Sequence, residues 1–158
     1  TNRMQTCAAN QDRPDGMAGR MMAATFDNAK DYGTAVNFYH QAIKAGETSS
    51  AYVLSWVFTF NDPQSDFSNW GVGEDQERSR RYYQINNFLS KSGHLKPELN
   101  VHDLDEIVPL PPAKLPSWDG KIAIQRFVEG PAPAKPSDEL VRRLAQQAGL
   151  DPNTGLPK

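Results

Sequence analysis

The stretch DYGTAVNFYHQAIKAGETSSAYVLSWVFTF, residues 31–60, decides the fold, because it predicts two helices joined by a tight turn. Its first half places small and apolar residues along one side of a helix: Ala35, Phe38, Tyr39, Ala42 and Ile43. This i, i+3, i+4, i+7, i+8 spacing predicts an amphipathic helix. Gly46 is predicted to end it, since glycine adopts the left-handed conformation at no steric cost. The hydroxyl groups of Thr48, Ser49 and Ser50 are then expected to cap the next helix.

The second half of this stretch allows two interpretations. Large apolar side chains occupy every second position from Tyr52 to Phe60, which is the period of a strand, and the residue types favour a strand as well. A helix is the other interpretation, and an internal repeat decides for it.

The repeat appears when Asp31 is aligned with Asp75 at a constant offset of 44 residues. The alignment pairs Ala35 with Ser79, Phe38 with Tyr82, and Tyr39 with Tyr83. A small residue followed by two adjacent aromatic residues is typical of the second helix in a helix–turn–helix repeat. Residues 50–60 are then the first helix of the next unit, with Ser55 where close helix approach requires a small side chain.

The residues that carry this pattern resemble a known family. FYHQAIKAG (38–46) and SAYVLSWVF (50–58) are similar to the Sel-like repeats, which are relatives of the tetratricopeptide repeats. The resemblance implies an all-α fold of helical-hairpin repeats. A degenerate second copy covers residues 75–89, where Asn86 replaces the alanine of the pattern, and an insertion at 61–74 breaks the usual short spacing.

A proline-rich segment, LKPELNVHDLDEIVPLPPAKLPSWDGK (95–121), follows the repeats. Its prolines forbid a helix and a central strand, so the segment is expected to be extended. Five apolar residues are expected to pack onto the helices: Ile107, Val108, Leu110, Leu115 and Trp118. Asp103 and Glu106 have the spacing of a capping box, which predicts a single helical turn.

The end of that segment, DLDEIVPLPPAKLPSWDGK (103–121), resembles a bacterial domain of unknown function that follows Sel-like repeats. Proteins of this kind include immunity partners encoded beside type VI secretion effectors, lipid-cleaving effectors among them. The resemblance thus implies an immunity protein.

The chain divides into a loose segment (1–15), a repeat body (16–93), the extended segment (94–130), and a linker, helix and tail (131–158). Ile122 and Ile124 predict a short edge strand or an extended clip. Ser137 is expected to cap a final helix that Gly149 ends. That helix carries Leu140, Val141, Leu144 and Ala148 on one face.

Composition excludes several functions. With 17 basic and 19 acidic residues the net charge is −2, which gives no general attraction to nucleic acid or anionic lipid. No apolar run approaches the roughly 20 residues that a membrane-spanning helix needs, so membrane insertion is not predicted. Cys7 is the only cysteine and cannot form an internal disulfide.

The inserted loop and the helix after it supply the predicted partner-binding residues. These are Asp62, Asp66, Phe67, Trp70, Glu74, Arg78 and Arg81. Exposed aromatic anchors with acidic neighbours suit a basic active-site mouth. Two alternatives stay open: Trp70 folds back onto the helices, and the arginine run is a solvated helix face rather than a clamp for an anion or carboxylate.

Catalytic patterns are weak. No phosphate-binding glycine loop, nucleophile elbow or paired-cysteine motif occurs, and no catalytic residue, cofactor or metal ligand is predicted. We therefore expect a non-enzymatic immunity protein that occludes the active site of a cognate effector. An effector that acts on membrane lipids would place the protein in the periplasm.

Two other functions stay open. One is a small metal-assisted hydrolase that uses His102 with Asp103 or Asp105, which predicts a sizeable pocket around His102. The other is a general protein-interaction scaffold.

Overall fold

The computed structural model describes residues 15–60, 64, 69–93, 100–132 and 134–157. In these residues the regular secondary structure is helical, and the helices are joined by turns and irregular segments. Seven helices follow one another in this part of the chain: α1 (Gly16–Asn28), α2 (Tyr32–Lys44), α3 (Thr48–Thr59), α4 (Gln76–Ser92), α5 (Leu104–Ile107), α6 (Ala123–Glu129) and α7 (Asp138–Gln147). No strand occurs among these residues, and an isolated bridge joins Leu150 to Pro157. The predicted all-α class is confirmed. None of the helices in the described ranges has the length and apolar character that crossing a membrane requires.

The contested stretch forms the helix α3, so the strand interpretation is wrong. Its cap differs from the prediction, because Glu47 rather than a hydroxyl residue caps it. The Glu47 carboxylate accepts hydrogen bonds from the backbone N–H groups of Ser49 (3.2 Å) and Ser50 (2.7 Å). A carboxylate at a helix N-terminus also interacts favourably with the helix dipole.

The other long helices begin and end as their sequences indicate. Four side chains accept a hydrogen bond from a backbone N–H group in the first turn: Asp15, Asp31, Asp75 and Ser137. Gly46 follows α2 at φ +81°, and Gly149 follows α7 at φ +70°. Both glycines therefore adopt the left-handed conformation that was predicted to end these helices.

Consecutive helices pack in pairs. α1 packs on α2, α3 packs on α4, and a smaller contact joins α2 to α3. Gly19 permits the close approach of α1 to α2, since a Cβ atom at this position would lie 3.0 Å from the Cβ of Ala42. The rings of Phe26 and Phe38 stack beside this contact, with centroids 5.5 Å apart.

The hydrophobic core lies between the helix pairs and the extended segment. Phe58 and Tyr82 stack at its centre with ring centroids 5.7 Å apart, and neither is exposed. The extended segment contributes five buried residues to the same cluster: Val101, Leu104, Ile107, Val108 and Ile122. Leu110, Leu115 and Trp118 pack against it while partly buried. The segment is thus part of the core rather than an external strap.

Two local predictions near this segment need correction. Residues 123–129 form the short helix α6, so the edge strand or clip expected around Ile124 is wrong. The predicted helical turn exists as α5, but the Asp103 side chain does not cap it. Asp103 Oδ2 instead accepts a hydrogen bond from the backbone N–H of Ala123 (2.7 Å), which ties the start of α6 to the start of α5.

The last helix, α7, has no buried residue. Leu144 on its apolar face is exposed, whereas Leu140 and Val141 are partly exposed. The bridge between Leu150 and Pro157 folds the tail back on itself beyond the helix.

Candidate functional site

The most unusual surface of the described chain is the outer side of α3. Three aromatic residues at intervals of four lie there, and we call them the aromatic stripe: Tyr52 and Trp56 of α3, and Phe60, which directly follows the helix. Their exposed fractions are 47%, 53% and 53%. The ring centroids of Tyr52 and Trp56 are 6.4 Å apart, and those of Trp56 and Phe60 are 4.8 Å apart. The rings therefore form one continuous row.

The opposite side of α3 explains why these rings face outward. Leu54, Val57 and Phe58 are buried in the core, so they fix the rotation of the helix. Residues 48–60 include no charged side chain. A helix that is apolar on all sides is normally buried on all sides. The stripe thus has the composition of a contact surface.

The predicted binding loop is only partly within the described residues. Asp62, Asp66 and Phe67 lie outside them. Trp70 packs back onto α2, with its ring centroid 5.1 Å from that of Tyr32 and 6.5 Å from that of Tyr39.

The other predicted loop residue, Glu74, is exposed. The structure therefore places Trp70 against the helices, whereas Arg78 and Arg81 lie buried on α4.

Arg78 and Arg81 have an internal role that the sequence did not reveal. Arg78 is buried, and its Nε donates to the carbonyl of Pro109 (3.0 Å). Its other guanidinium nitrogens bind the carbonyl of Ala113 and the carboxylate of Asp75. The guanidinium group also lies 5.9 Å from the ring centroid of Phe58.

Arg81 is 5% exposed and repeats this arrangement one turn further along. Its Nη1 donates to the carbonyl of Ile107 (2.5 Å) and its Nη2 to that of Pro116 (2.7 Å). Its Nε donates to Glu77 (2.8 Å), and the group lies 5.6 Å from the ring centroid of Trp118.

Together Arg78 and Arg81 form an arginine clamp on the extended segment. Proline has no backbone N–H, so the carbonyl groups of a proline-rich segment need hydrogen-bond donors from elsewhere, and the guanidinium groups supply them. The description of the basic run as a solvated face holds for the exposed Arg80 and is wrong for these two. Their role in partner binding stays a prediction, and the donors of both guanidinium groups are used inside the chain.

The carboxylate of Glu77 connects the exposed and buried arginines. Hydrogen bonds from Arg80, and then from Arg81, lower the pKa of Glu77 to about 2. The carboxylate therefore stays ionised at neutral pH and orients the Arg81 fork toward the extended segment.

A second polar cluster, the histidine latch, joins α2, α4 and α5. His40 is buried, with Nδ1 2.8 Å from the Tyr82 hydroxyl and Nε2 2.7 Å from Asp105 Oδ1. Lys44 Nζ donates to the other oxygen of Asp105 (2.6 Å). These bonds, chiefly the one from His40, hold the pKa of Asp105 below its ordinary value, and burial raises the pKa of Tyr82.

The latch contains the residue types of a proton relay, but its imidazole is not accessible to a substrate. His40 is 2% exposed, so a substrate cannot reach the imidazole without local unfolding. The sequence could not reveal the pair, because His40 and Asp105 are 65 residues apart. The arrangement holds the extended segment to α2.

A pocket lies beside His102, as the hydrolase hypothesis predicts, but the carboxylates of Asp103 and Asp105 do not line it. A cavity of about 270 Å³ is lined by Asn100, His102, Ala123, Ile124 and Phe127. Asp103 binds the backbone of α6 and Asp105 belongs to the latch, so neither is paired with His102. The residues that the structure describes include no group of three potential ligands that could hold a metal ion.

Comparisons with known proteins give one match. A family described as "Domain of unknown function (DUF6396)" matches residues 50–158, which is more than half of the chain. No curated protein and no solved structure matches. The match begins within α3, so α1 and α2 precede it. His40 and Lys44 of α2 nevertheless bind Asp105, which places the preceding helices and the matched region in one folded unit.

Proposed function

The chain belongs to the DUF6396 family, a domain of unknown function, and we propose that this member binds another protein and catalyses no reaction. The aromatic stripe on α3 is the observation that carries the proposal. Three half-exposed aromatic side chains lie in one row on a helix without charge. Tyrosine and tryptophan are enriched among the residues that dominate binding energy at interfaces.

The internal bonds support a binding role over a catalytic one. His40 and Asp105, which could perform acid–base chemistry, hold the extended segment in the latch, and Arg78 and Arg81 hold it in the clamp. A surface that is held rigid before binding loses less conformational entropy when a partner docks. The stripe thus belongs to a scaffold whose neighbouring elements are pinned.

For the architecture, we propose two hairpins of the Sel-like type, α1–α2 and α3–α4. The pairwise packing of consecutive helices supports this arrangement. Ala35 and Ser79, which the repeat aligns, are both buried. The contact of Ser79 with Thr59, at 2.5 Å between hydroxyl oxygens, fits a small residue at a close helix crossing.

For the partner, we propose a secreted antibacterial effector that the protein neutralises by covering its active site. The resemblance of residues 103–121 to the segment that follows Sel-like repeats in immunity proteins supports this choice. Lipid-cleaving effectors are the class to test first, and such a partner would place the protein in the periplasm. Asp62, Asp66 and Phe67 remain predicted contacts of the loop, beside the exposed Glu74.

The test uses the purified chain and the purified products of adjacent genes. Calorimetry measures binding, and an activity assay measures whether the bound effector loses its activity. Cell fractionation tests the periplasmic location. We expect one adjacent product to bind at nanomolar to micromolar concentration and to be inhibited at equal molar ratio.

Two results would contradict the proposal. One is the absence of binding to every adjacent product. The other is turnover of a substrate by the chain alone that His102→Ala abolishes, since this would favour the hydrolase.

A further inference from the structure

We infer that the occupant of the aromatic stripe is a single amphipathic helix of the partner, which presents aliphatic side chains and no charge to α3. This inference rests on the proposed protein-binding function and names the element that binds. It follows from the size, the spacing and the charge of the stripe, and from the lack of a sheet edge in the described residues.

Size argues against a second copy of the chain as the occupant. Aromatic side chains bury roughly 150–250 Å² each, so three half-exposed ones offer on the order of 300 Å². A stable dimer needs about 800 Å² from each partner. Paired on itself, the stripe would supply less than half of that area, whereas against an effector it can be the central patch of a wider contact, and two turns of one helix can cover it.

Spacing favours a helix over an extended peptide. The ring centroids along the stripe are 6.4 Å and 4.8 Å apart, and their mean of about 5.6 Å lies close to the helical pitch of about 5.4 Å. Alternate residues of a strand recur at about 6.6 Å, which matches the longer of the two gaps but exceeds their mean by about 1 Å. Side chains one turn apart on a partner helix can therefore enter successive gaps.

Backbone hydrogen bonding also favours a helix over an extended peptide as the occupant. An extended peptide gains affinity mainly by adding a strand to an exposed sheet edge. The described ranges include no strand, and their one isolated bridge joins Leu150 to Pro157 beyond α7. A helix satisfies its own backbone hydrogen bonds and needs no such edge.

Charge defines the face that the partner presents. Residues 48–60 have no charged side chain that could pair with a buried charge on the partner. An unpaired charge buried against the rings would lose its hydration without compensation. Leu, Ile and Met side chains fill the gaps between rings without that cost, and the hydroxyl of Tyr52 can remain at the wet edge.

α4 extends this surface on one side. Thr59 contacts Ser79, so α3 and α4 lie side by side at this level. Tyr83 follows Ser79 by one turn on α4 and is 51% exposed. We therefore expect Tyr83 to flank the partner helix, with the stripe as the centre of the contact.

The experiment has two probes. The first is the effector that binds the wild-type chain in the test above. The second is a designed helical peptide with Leu on one face and Glu and Lys elsewhere, together with a scrambled peptide of the same composition. Both are titrated into the wild type, Trp56→Ala and Met21→Ala. Met21 is the control, because it is 49% exposed on α1 and lies outside the stripe.

We expect Trp56→Ala to weaken effector binding by about 30-fold or more, and Met21→Ala to leave it within about twofold. The designed peptide should compete with the effector, and the scrambled peptide should not. Hydrogen exchange of the bound effector should show protection in one helix. Circular dichroism confirms that the variants remain folded.

The outcomes separate the two proposals. If the effector binds wild type and Trp56→Ala equally, or if the protected effector segment is not helical, the inference is overturned while the binding function stands. A dimer that Trp56→Ala dissociates would assign the stripe to a second copy and overturn the inference too. If no adjacent product binds, the proposed function fails. The designed peptide alone then tests the inference. If it does not bind, or if it binds wild type and Trp56→Ala equally, the inference that a helix occupies the stripe is overturned.

Discussion

Replacement of Arg81 by alanine tests whether the arginine clamp holds the fold together. The side chain is 5% exposed and donates to two backbone carbonyls of the extended segment, at Ile107 and Pro116. Each hydrogen bond of a charged group contributes about 1.5–3 kcal/mol, and a buried carbonyl that is left without its donor costs about 1–3 kcal/mol. The individual values do not add, because one substitution removes them together. We expect the free energy of unfolding to fall by about 3–5 kcal/mol, a large share of the roughly 5–15 kcal/mol of a typical domain.

Arg80→Ala is the matched control. Arg80 precedes Arg81 directly and also binds Glu77, but 46% of its side chain is exposed. Surface ion pairs contribute about 1 kcal/mol or less, so this variant should remain close to wild type. Arg81→Lys should lie between the two, because lysine keeps the charge but cannot bridge two carbonyls with a planar fork.

Urea unfolding, followed by circular dichroism, measures all three variants. Limited proteolysis of residues 107–121 reports separately on release of the extended segment, which contains Trp118 against the clamp. Equal stability of Arg81→Ala and Arg80→Ala would refute the clamp. So would a loss of stability in Arg81→Ala with no increase in cleavage of the segment.

Three further predictions concern other contacts. The hydrogen bond from His40 is the main cause that lowers the pKa of Asp105 below its ordinary value of 3.8. The ionised carboxylate therefore stabilises the fold above pH 3.8, and this stabilisation is lost as the pH falls toward the lowered pKa. In urea titrations, Asp105→Asn should therefore be less stable than wild type at pH 7, and the difference should shrink below pH 3.8; a constant difference would contradict the latch. Gly19→Leu should cost about 1–3 kcal/mol by forcing α1 from α2, whereas Gly33→Leu should be nearly neutral in the same thermal melts, since a Cβ there meets nothing within 4 Å. Trp70→Ala should lower the unfolding free energy by about 1–2 kcal/mol because the ring packs on α2, and an unchanged urea midpoint would argue that the ring is free of α2.

The local features of this protein follow from its sequence. The 3.6-residue spacing from Ala35 to Ile43 gives α2, and glycine at position 46 ends it, because both effects depend on neighbours within two turns. The repeat also assigned residues 50–60 to a helix although their alternation indicates a strand. Local rules failed at Glu47, which takes the cap because its longer side chain reaches two N–H groups of the first turn.

The candidate site likewise follows in part from the sequence and in part from the tertiary structure. The aromatic residues of the stripe are evident in the sequence, but their alternation with other apolar residues does not tell which ones face the core. The packing of Leu54 and Phe58 against α4 and the core settles this, and it turns Tyr52 and Trp56 outward. The predicted loop anchor Trp70 turned inward, because Tyr32 and Tyr39 offer it an aromatic surface that only the folded α2 presents.

What the sequence by itself determined is the helical class, most helix boundaries and a proline-rich segment in which residues 108–122 form neither helix nor strand. Only the tertiary structure decided which charges are internal. Arg80 and Arg81 are identical neighbours in the sequence, yet the first is half-exposed and the second is buried and binds carbonyls 26 and 35 residues away. Helix periodicity encodes contacts within a few turns, whereas a bond across such a separation depends on how the extended segment lies on α4, and no spacing in the chain records that.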